Sequence, residues 1–191
     1  MEKTQTKKRC TWVSGDPLYI AYHDHEWGRP VHDDRKLFEM LLLEGAQAGL
    51  SWITVLKKRE NYRKAFDAFD PKKINRYDAK KIKQLLGNEG IIRNKLKIAA
   101  AIQNAKLFLE LQKEFGSFDR YIWQFVGGTT LYHSGRKKYA TTTPESDAMS
   151  RELKRRGFNF VGSTICYSFM QAVGMVNDHS PDCFLYRKSN F

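Results

Sequence analysis

Four residues near the chain ends have the types and spacing of a metal site. Cys10 and His23 are separated by twelve residues, and His179 and Cys183 by three. Either pair alone is ordinary, because a lone cysteine is usually a small core residue and a lone histidine a satisfied one. Together, two cysteines and two histidines complete a tetrahedral set for one zinc ion, with no open position for a reactive water. The set therefore reads as structural, tying together chain ends that otherwise fray and making stability depend on metal. His25, His32 and His133 have no matching ligand partners. Three cysteines without a secretory signal do not suggest a disulfide framework, and Cys166 reads as a buried core thiol.

A second group is aromatic. Trp12, Trp27, Trp52, Tyr19 and Tyr22 fall in the first third of the chain, and Glu44 follows the apolar run Leu41, Leu42, Leu43. A carboxylate buried there needs a partner, and an extruded purine offers an amine, a ring N–H or a positive charge. On composition alone the aromatics read as core residues and Glu44 as a helix-capping glutamate.

The elements that must position these groups are helices. Leu37, Phe38, Leu41 and Leu42 follow the capping pair Asp33 and Asp34 at helical spacing. Ser51 is placed to cap a second helix that carries Trp52, Val55, Leu56, Tyr62 and Phe66 and stops before Asp70 and Pro71. A third starts after Asp78. Leu96, Ala99, Ile102, Ala105 and Leu109 mark the stripe of a long helix ending at Gly116, with Ser117 capping the next. Period-two alternation is absent over any useful length, so the expected class is all-α. Residues 127–144 read as an exposed loop or a poorly paired hairpin without a catalytic role. Residues 146–156 read as a short helix closed by Gly157, with a further helix close behind. The glycine-containing turn between them, through Gly162, Ser163 and Thr164, has basic residues just ahead of it. Its backbone N–H groups can hold a phosphate of duplex DNA; an ordinary helical hairpin is the alternative.

The 191 residues suit one domain, 1–191, with residues 1–9 a flexible basic tail. Lysine and arginine outnumber acids 33 to 21, a formal net charge of +12 that favours a polyanionic partner such as nucleic acid. Hydrophobic residues make up 41% of the chain, which argues against disorder, and no apolar run approaches the roughly 20 residues of a membrane helix. A soluble, intracellular protein, monomeric and free of membrane partners, is the expectation.

Three blocks carry a resemblance: residues 12–28 (WVSGDPLYIAYHDHEWG), 43–56 (LEGAQAGLSWITVL) and 157–172 (GFNFVGSTICYSFMQA), the last followed by Asn177, Asp178 and His179. They closely resemble the DNA-3-methyladenine glycosylase I family, and the likeness runs from Cys10 to Cys183. The resemblance implies a helix-hairpin-helix glycosylase fold, one zinc held by Cys10, His23, His179 and Cys183, and no other cofactor. It implies that Glu44 and Tyr22 hydrogen-bond an extruded base, that Trp52 stacks on it, and that Trp12 and Trp27 line its pocket. Gly49 and Leu50 would enter the DNA, with an apolar wedge filling the gap left by the flipped nucleotide. The implied activity is base excision repair, the hydrolysis of the N-glycosidic bond of 3-methyladenine in double-stranded DNA. No lysine is placed by motif as a Schiff-base nucleophile, so the enzyme is expected to be monofunctional. Asp178, next to His179, reads as outer support for the metal. The competing class is a non-catalytic, zinc-stabilised DNA-binding module, which has no use for an open pocket where Glu44, Tyr22 and Trp52 converge.

Overall fold

The computed structural model describes residues 7–132 and 140–187. Among them run α1 (Pro17–His25), α2 (Asp34–Gln47), α3 (Trp52–Ala65), α4 (Pro71–Ile74), α5 (Ala79–Gly87), α6 (Lys95–Phe115), α7 (Phe118–Trp123), β1 (Leu131–Tyr132), α8 (Pro144–Arg155), α9 (Ser163–Ala172) and β2 (Val176–Asn177). The fold is predominantly helical, as its spacing patterns predicted. None of these helices is long and apolar enough to cross a membrane.

Helix α2 is the axis. Every residue from 37 to 46 is buried, and α3, α6, α7 and α9 pack around it. A helix buried on all sides belongs at the centre of a bundle. Two acids interrupt its apolar surface, Glu39 and Glu44. Asp33, Asp78 and Ser117 cap α2, α5 and α7 by accepting from the N–H groups of Lys36, Lys81 and Arg120 at 2.8, 2.8 and 3.1 Å. Ser51 precedes α3 but makes no such bond; its hydroxyl pairs with that of Thr54 at 2.7 Å.

Two expectations are corrected. Helix α3 ends at Ala65, not just before Pro71, because Asp67, Ala68 and Phe69 all take positive φ, 49°, 55° and 57°. This turn swings Phe69 fully into the core, and Asp67 is held by the Tyr77 hydroxyl at 2.6 Å; burial of a large aromatic offsets the backbone strain. The core face of α6 is Ile98, Ala101, Ala105, Phe108 and Leu111, whereas Leu96 is 70% exposed. Several apolar rows run along this helix, so the pattern alone does not identify which one its neighbours cover.

Within residues 127–144, β1 pairs in parallel with β2, Leu131 opposite Val176. Residues 133–139, including His133, lie outside the described residues. Helix α8 opens with a reciprocal cap between Thr143 and Ser146, and Gly157, with φ of +94°, turns the chain toward α9.

The two ends of the chain meet through backbone. The Gly28 N–H donates to the Gln171 carbonyl at 2.9 Å, and the Val31 N–H to Val173 at 3.0 Å. Gly174 (φ +70°) lies so close that an added Cβ would sit 2.1 Å from the carbonyl carbon of Arg29. Only glycine permits that approach. Residues 1–6 lie outside the described residues; beyond them, Lys8 accepts from the Phe184 N–H at 2.9 Å and its ammonium bonds Asp182 at 2.8 Å.

Candidate active site and metal centre

This seam brings Cys10, His23, His179 and Cys183 into one buried cluster, their ligand atoms all within 4.8 Å of one another. Cys10 Sγ lies 3.5 Å from His179 Nδ1, and Cys183 Sγ lies 3.4 Å from His23 Nε2 and 3.5 Å from His179 Nδ1. Bonds of about 2.3 Å from zinc to sulfur and about 2.0–2.1 Å to nitrogen, at tetrahedral angles, place sulfur and nitrogen roughly 3.5 Å apart. The donors fit that ion in type and in spacing. His23 turns its other ring nitrogen to Asp24 at 2.8 Å, the arrangement by which an outer carboxylate fixes a ligand's tautomer. Arg9 grips Asp24 through Nε and Nη2 at 2.8 and 2.7 Å. That pairing holds the Asp24 carboxyl down at about 2 despite its burial. Asp178 bonds instead to α9, accepting from the Tyr167 hydroxyl and, at 2.8 Å, from Gln171 Nε2. Each of the two ligand histidines has an aspartate as its sequence neighbour, and it is Asp24 that turns to its ligand ring, whereas the sequence reading gives the outer support to Asp178.

The ligand rings back an aromatic wall. Trp12 stands edge-on to His23 and Trp27, at 5.3 and 5.0 Å between centroids, and Trp27 edge-on to His179 at 4.7 Å. In front of that wall is an open pocket of about 560 Å³, onto which Trp12, Tyr22, Trp27, Glu44 and Trp52 all face. Helix α1 supplies Tyr22, α2 supplies Glu44 and α3 supplies Trp52. The Tyr22 and Trp52 rings lie 5.2 Å apart, and Trp52 Nε1 is buried without a protein acceptor among the described residues. Glu44 is only 4% exposed, and burial alone pushes its carboxyl up to about 8. Burial thus holds it protonated at neutral pH. Burial, reinforced by Glu44, raises the Tyr22 hydroxyl well above its ordinary range. The aromatic lining is chemically suited to a flat aromatic guest, and a positive charge beside Glu44 would favour its carboxylate form.

Glu44, Gln47 and Ser168 are shared with a second hollow of about 660 Å³, whose rim includes Gly49, Leu50 and Thr164. Leu50 is 40% exposed on the turn between α2 and α3. The Lys97 ammonium braces that turn, bonding the carbonyls of Ala46 and Ala48 at 2.8 and 2.7 Å. Gly162 is the residue before α9 and caps it with no side chain, so the first amides of α9, at Ser163 and Thr164, lack a side-chain acceptor there. The chain ahead of α9 is clamped to α6: Asn104 donates to the Asn159 carbonyl and accepts from its N–H, both at 2.9 Å. Phe160 follows with φ of +55°. Two of the basic residues ahead of this turn are already paired, Arg155 with Glu152 at 2.7 Å and Arg156 with Glu114 at 2.6 Å.

Sequence reasoning missed Gln47, Ser168 and Gln171, which also line the pocket, and Ala140, from a region given no role. A signal was present. Thr164, Ser168 and Gln171 recur at i, i+4 and i+7 on a largely apolar helix, a polar stripe on one face.

The sequence profile of the methyladenine glycosylase family matches residues 12–186. The DNA-3-methyladenine glycosylase 1 of Escherichia coli (strain K12) is 53% identical over 186 residues, covering 94% of this chain and 97% of that protein. A crystal structure of a 3-methyladenine DNA glycosylase I superposes with a TM-score of 0.91 at 55% identity, covering 94% of this chain and all (100%) of that one. A Staphylococcus aureus 3-methyladenine DNA glycosylase I, solved for its recognition of 3-methyladenine, superposes with a TM-score of 0.91 at 34% identity, covering 97% and 100%. The chain belongs to the methyladenine glycosylase family.

Proposed function

We propose that this protein is a monofunctional DNA repair glycosylase that hydrolyses the N-glycosidic bond of 3-methyladenine in alkylated double-stranded DNA. It acts as a single helix-hairpin-helix domain and a monomer. The observation that carries the reading is the convergence of Glu44, Tyr22, Trp52, Trp12 and Trp27 on one open pocket that borders the hollow beside Leu50 and Thr164. Docking through the Gly162, Ser163 and Thr164 turn, with Leu50 on the turn braced by Lys97, sets a flipped nucleotide at the mouth of that pocket.

Methylation at N3 puts positive charge on the purine. The ring then stacks on Trp52, and its charge lies beside Glu44, which surrenders its proton because a cation now compensates for its burial. A neutral adenine provides no such compensation, so it gains less from the pocket. Cleavage moves the electron pair of the bond between C1′ and N9 onto the base, which leaves neutral. Water then bonds C1′ and releases a proton to solvent, leaving an abasic site. Little acid catalysis is required, and selectivity is the main task. Cys10, His23, His179 and Cys183 would hold one zinc ion; bound, it supplies structure, because a filled four-ligand set leaves no position for substrate or water.

The test is release of free base from methylated duplex DNA, with 3-methyladenine and 7-methylguanine quantified separately and a Glu44→Gln protein alongside. Selective release of 3-methyladenine by wild type, slowed by Glu44→Gln, supports the reading. Excision at the wild-type rate by Glu44→Gln refutes the role given to that residue. Absence of release by a folded, zinc-loaded wild type leaves the non-catalytic binding module.

A further inference from the structure

The three helices that present Tyr22, Glu44 and Trp52 are joined, on the far side of Tyr22, by one guanidinium. Arg59 on α3 reaches Glu26, which caps α1, through both terminal nitrogens at 2.9 and 2.8 Å, and reaches Glu39 on α2 through Nε at 2.6 Å. Its side chain is 10% exposed and that of Glu39 only 4%. The spacing to the pocket is short in each case. Glu26 follows Tyr22 by one turn, and its N–H bonds the Tyr22 carbonyl at 2.9 Å. Glu39 precedes Glu44 by five residues, and Arg59 follows Trp52 by seven, two turns on the same helical face. Tyr22 lines both the pocket and a separate groove that Glu26 and Arg59 border, so it forms the partition between them.

We propose that Arg59 is a positioning residue for base excision: by bridging Glu26 and Glu39 it sets the relative placement of the helices that carry Tyr22, Glu44 and Trp52. A planar fork held at three points resists both sliding and rotation of the helices it joins, which a lysine ammonium does not. The network is also built to survive loss of Arg59, since Lys36 contacts Glu26 at 3.2 Å and Glu39 at 3.4 Å, and Arg63 contacts Glu39 at 3.1 Å. Removing the guanidinium therefore leaves both acids partnered while freeing the helices to shift by fractions of an ångström, a displacement to which oriented catalysis is sensitive.

The inference rests on the glycosylase reading, and the experiment separates the two. Arg59→Met, Arg59→Lys and Glu26→Gln are compared with wild type and with Leu85→Ala. The last removes a buried side chain on α5, away from the pocket, and lowers thermal stability without touching the bridge. Each protein is measured for melting temperature, single-turnover release of 3-methyladenine per folded molecule, binding of free 3-methyladenine by tryptophan fluorescence, and binding of undamaged duplex. Arg59→Met is expected to slow release and weaken free-base binding roughly tenfold or more, with undamaged-duplex binding within about twofold of wild type. Arg59→Lys is expected to fall between, and Glu26→Gln, at a half-exposed position that tolerates the change, to lose about threefold or more in both base readouts. If the variants match wild type per folded molecule, or lose activity only as Leu85→Ala does, the inference is overturned. If wild type itself releases no 3-methyladenine, the glycosylase reading fails and the inference falls with it.

Discussion

Replacing Glu44 by glutamine should make the DNA-free protein more stable, by an amount that grows with pH. In an unfolded chain this carboxyl titrates near 4.5, whereas its burial in the fold moves it to about 8. Between those values the native state holds a proton that the unfolded state has released. Stability of the wild type must therefore fall as pH rises through this window, and the stabilisation present below pH 4.5 is fully lost above about 8. The slope is about 1.4 kcal/mol per pH unit, which amounts to about 3 kcal/mol forfeited by pH 7 and roughly 5 kcal/mol above pH 8. Glutamine has nearly the same shape and does not titrate, so the stability difference between variant and wild type should grow by those amounts. For a chain of this size, about 3 kcal/mol corresponds to a melting temperature higher by about 6–12 °C at pH 7. Calorimetry of both proteins at pH 5.5, 6.5 and 7.5, at constant ionic strength, isolates the effect, because every other titrating group is common to the pair. A difference in melting temperature that does not change with pH would refute the reasoning, since it would mean that Glu44 is already ionised in the empty pocket. The variant that gains stability should be the one that loses excision, the expected signature of a group held in an unfavourable state for function.

Asn104→Ala removes the two-bond clamp on Asn159 and should weaken binding of undamaged duplex about five- to tenfold in a filter or anisotropy assay, while free 3-methyladenine binding stays within about twofold. Gly174→Ala places a methyl group 2.1 Å from the Arg29 carbonyl carbon, at a φ that alanine resists, and should destabilise the fold by about 4 kcal/mol or more in denaturant titration; a loss below about 1 kcal/mol would show that the two segments separate easily. Elemental analysis should find one zinc per chain, and chelation or Cys183→Ser should lower the melting temperature. Either change should also weaken binding of free 3-methyladenine, because Trp12 and Trp27 rest against the ligand rings.

Much of the site was legible because its signals are local or chemically rare. Asp33, Asp78 and Ser117 announce their helices through bonds to amides three residues away, so capping is readable from a short window. Cys10, His23, His179 and Cys183 are informative because two of each type make a complete donor set whatever the chain does between them. The first two of the three sequence blocks held Tyr22, Glu44 and Trp52, and all three face the pocket in the structure. Tertiary structure decided the rest, for reasons that sequence spacing does not carry. The covered row of α6 depended on its neighbours, and left Leu96 in solvent while burying Phe108. The end of α3 depended on the core site that Phe69 fills. Asp24 and Asp178 both adjoin a ligand histidine in sequence, and packing decides that Asp24 turns to its ring while Asp178 turns to α9. The shifted titration of Glu44 and the bridge at Arg59 both arise from burial among helices distant in sequence. Sequence determined which groups were available; packing determined their solvent, partners and orientation, and hence their chemistry.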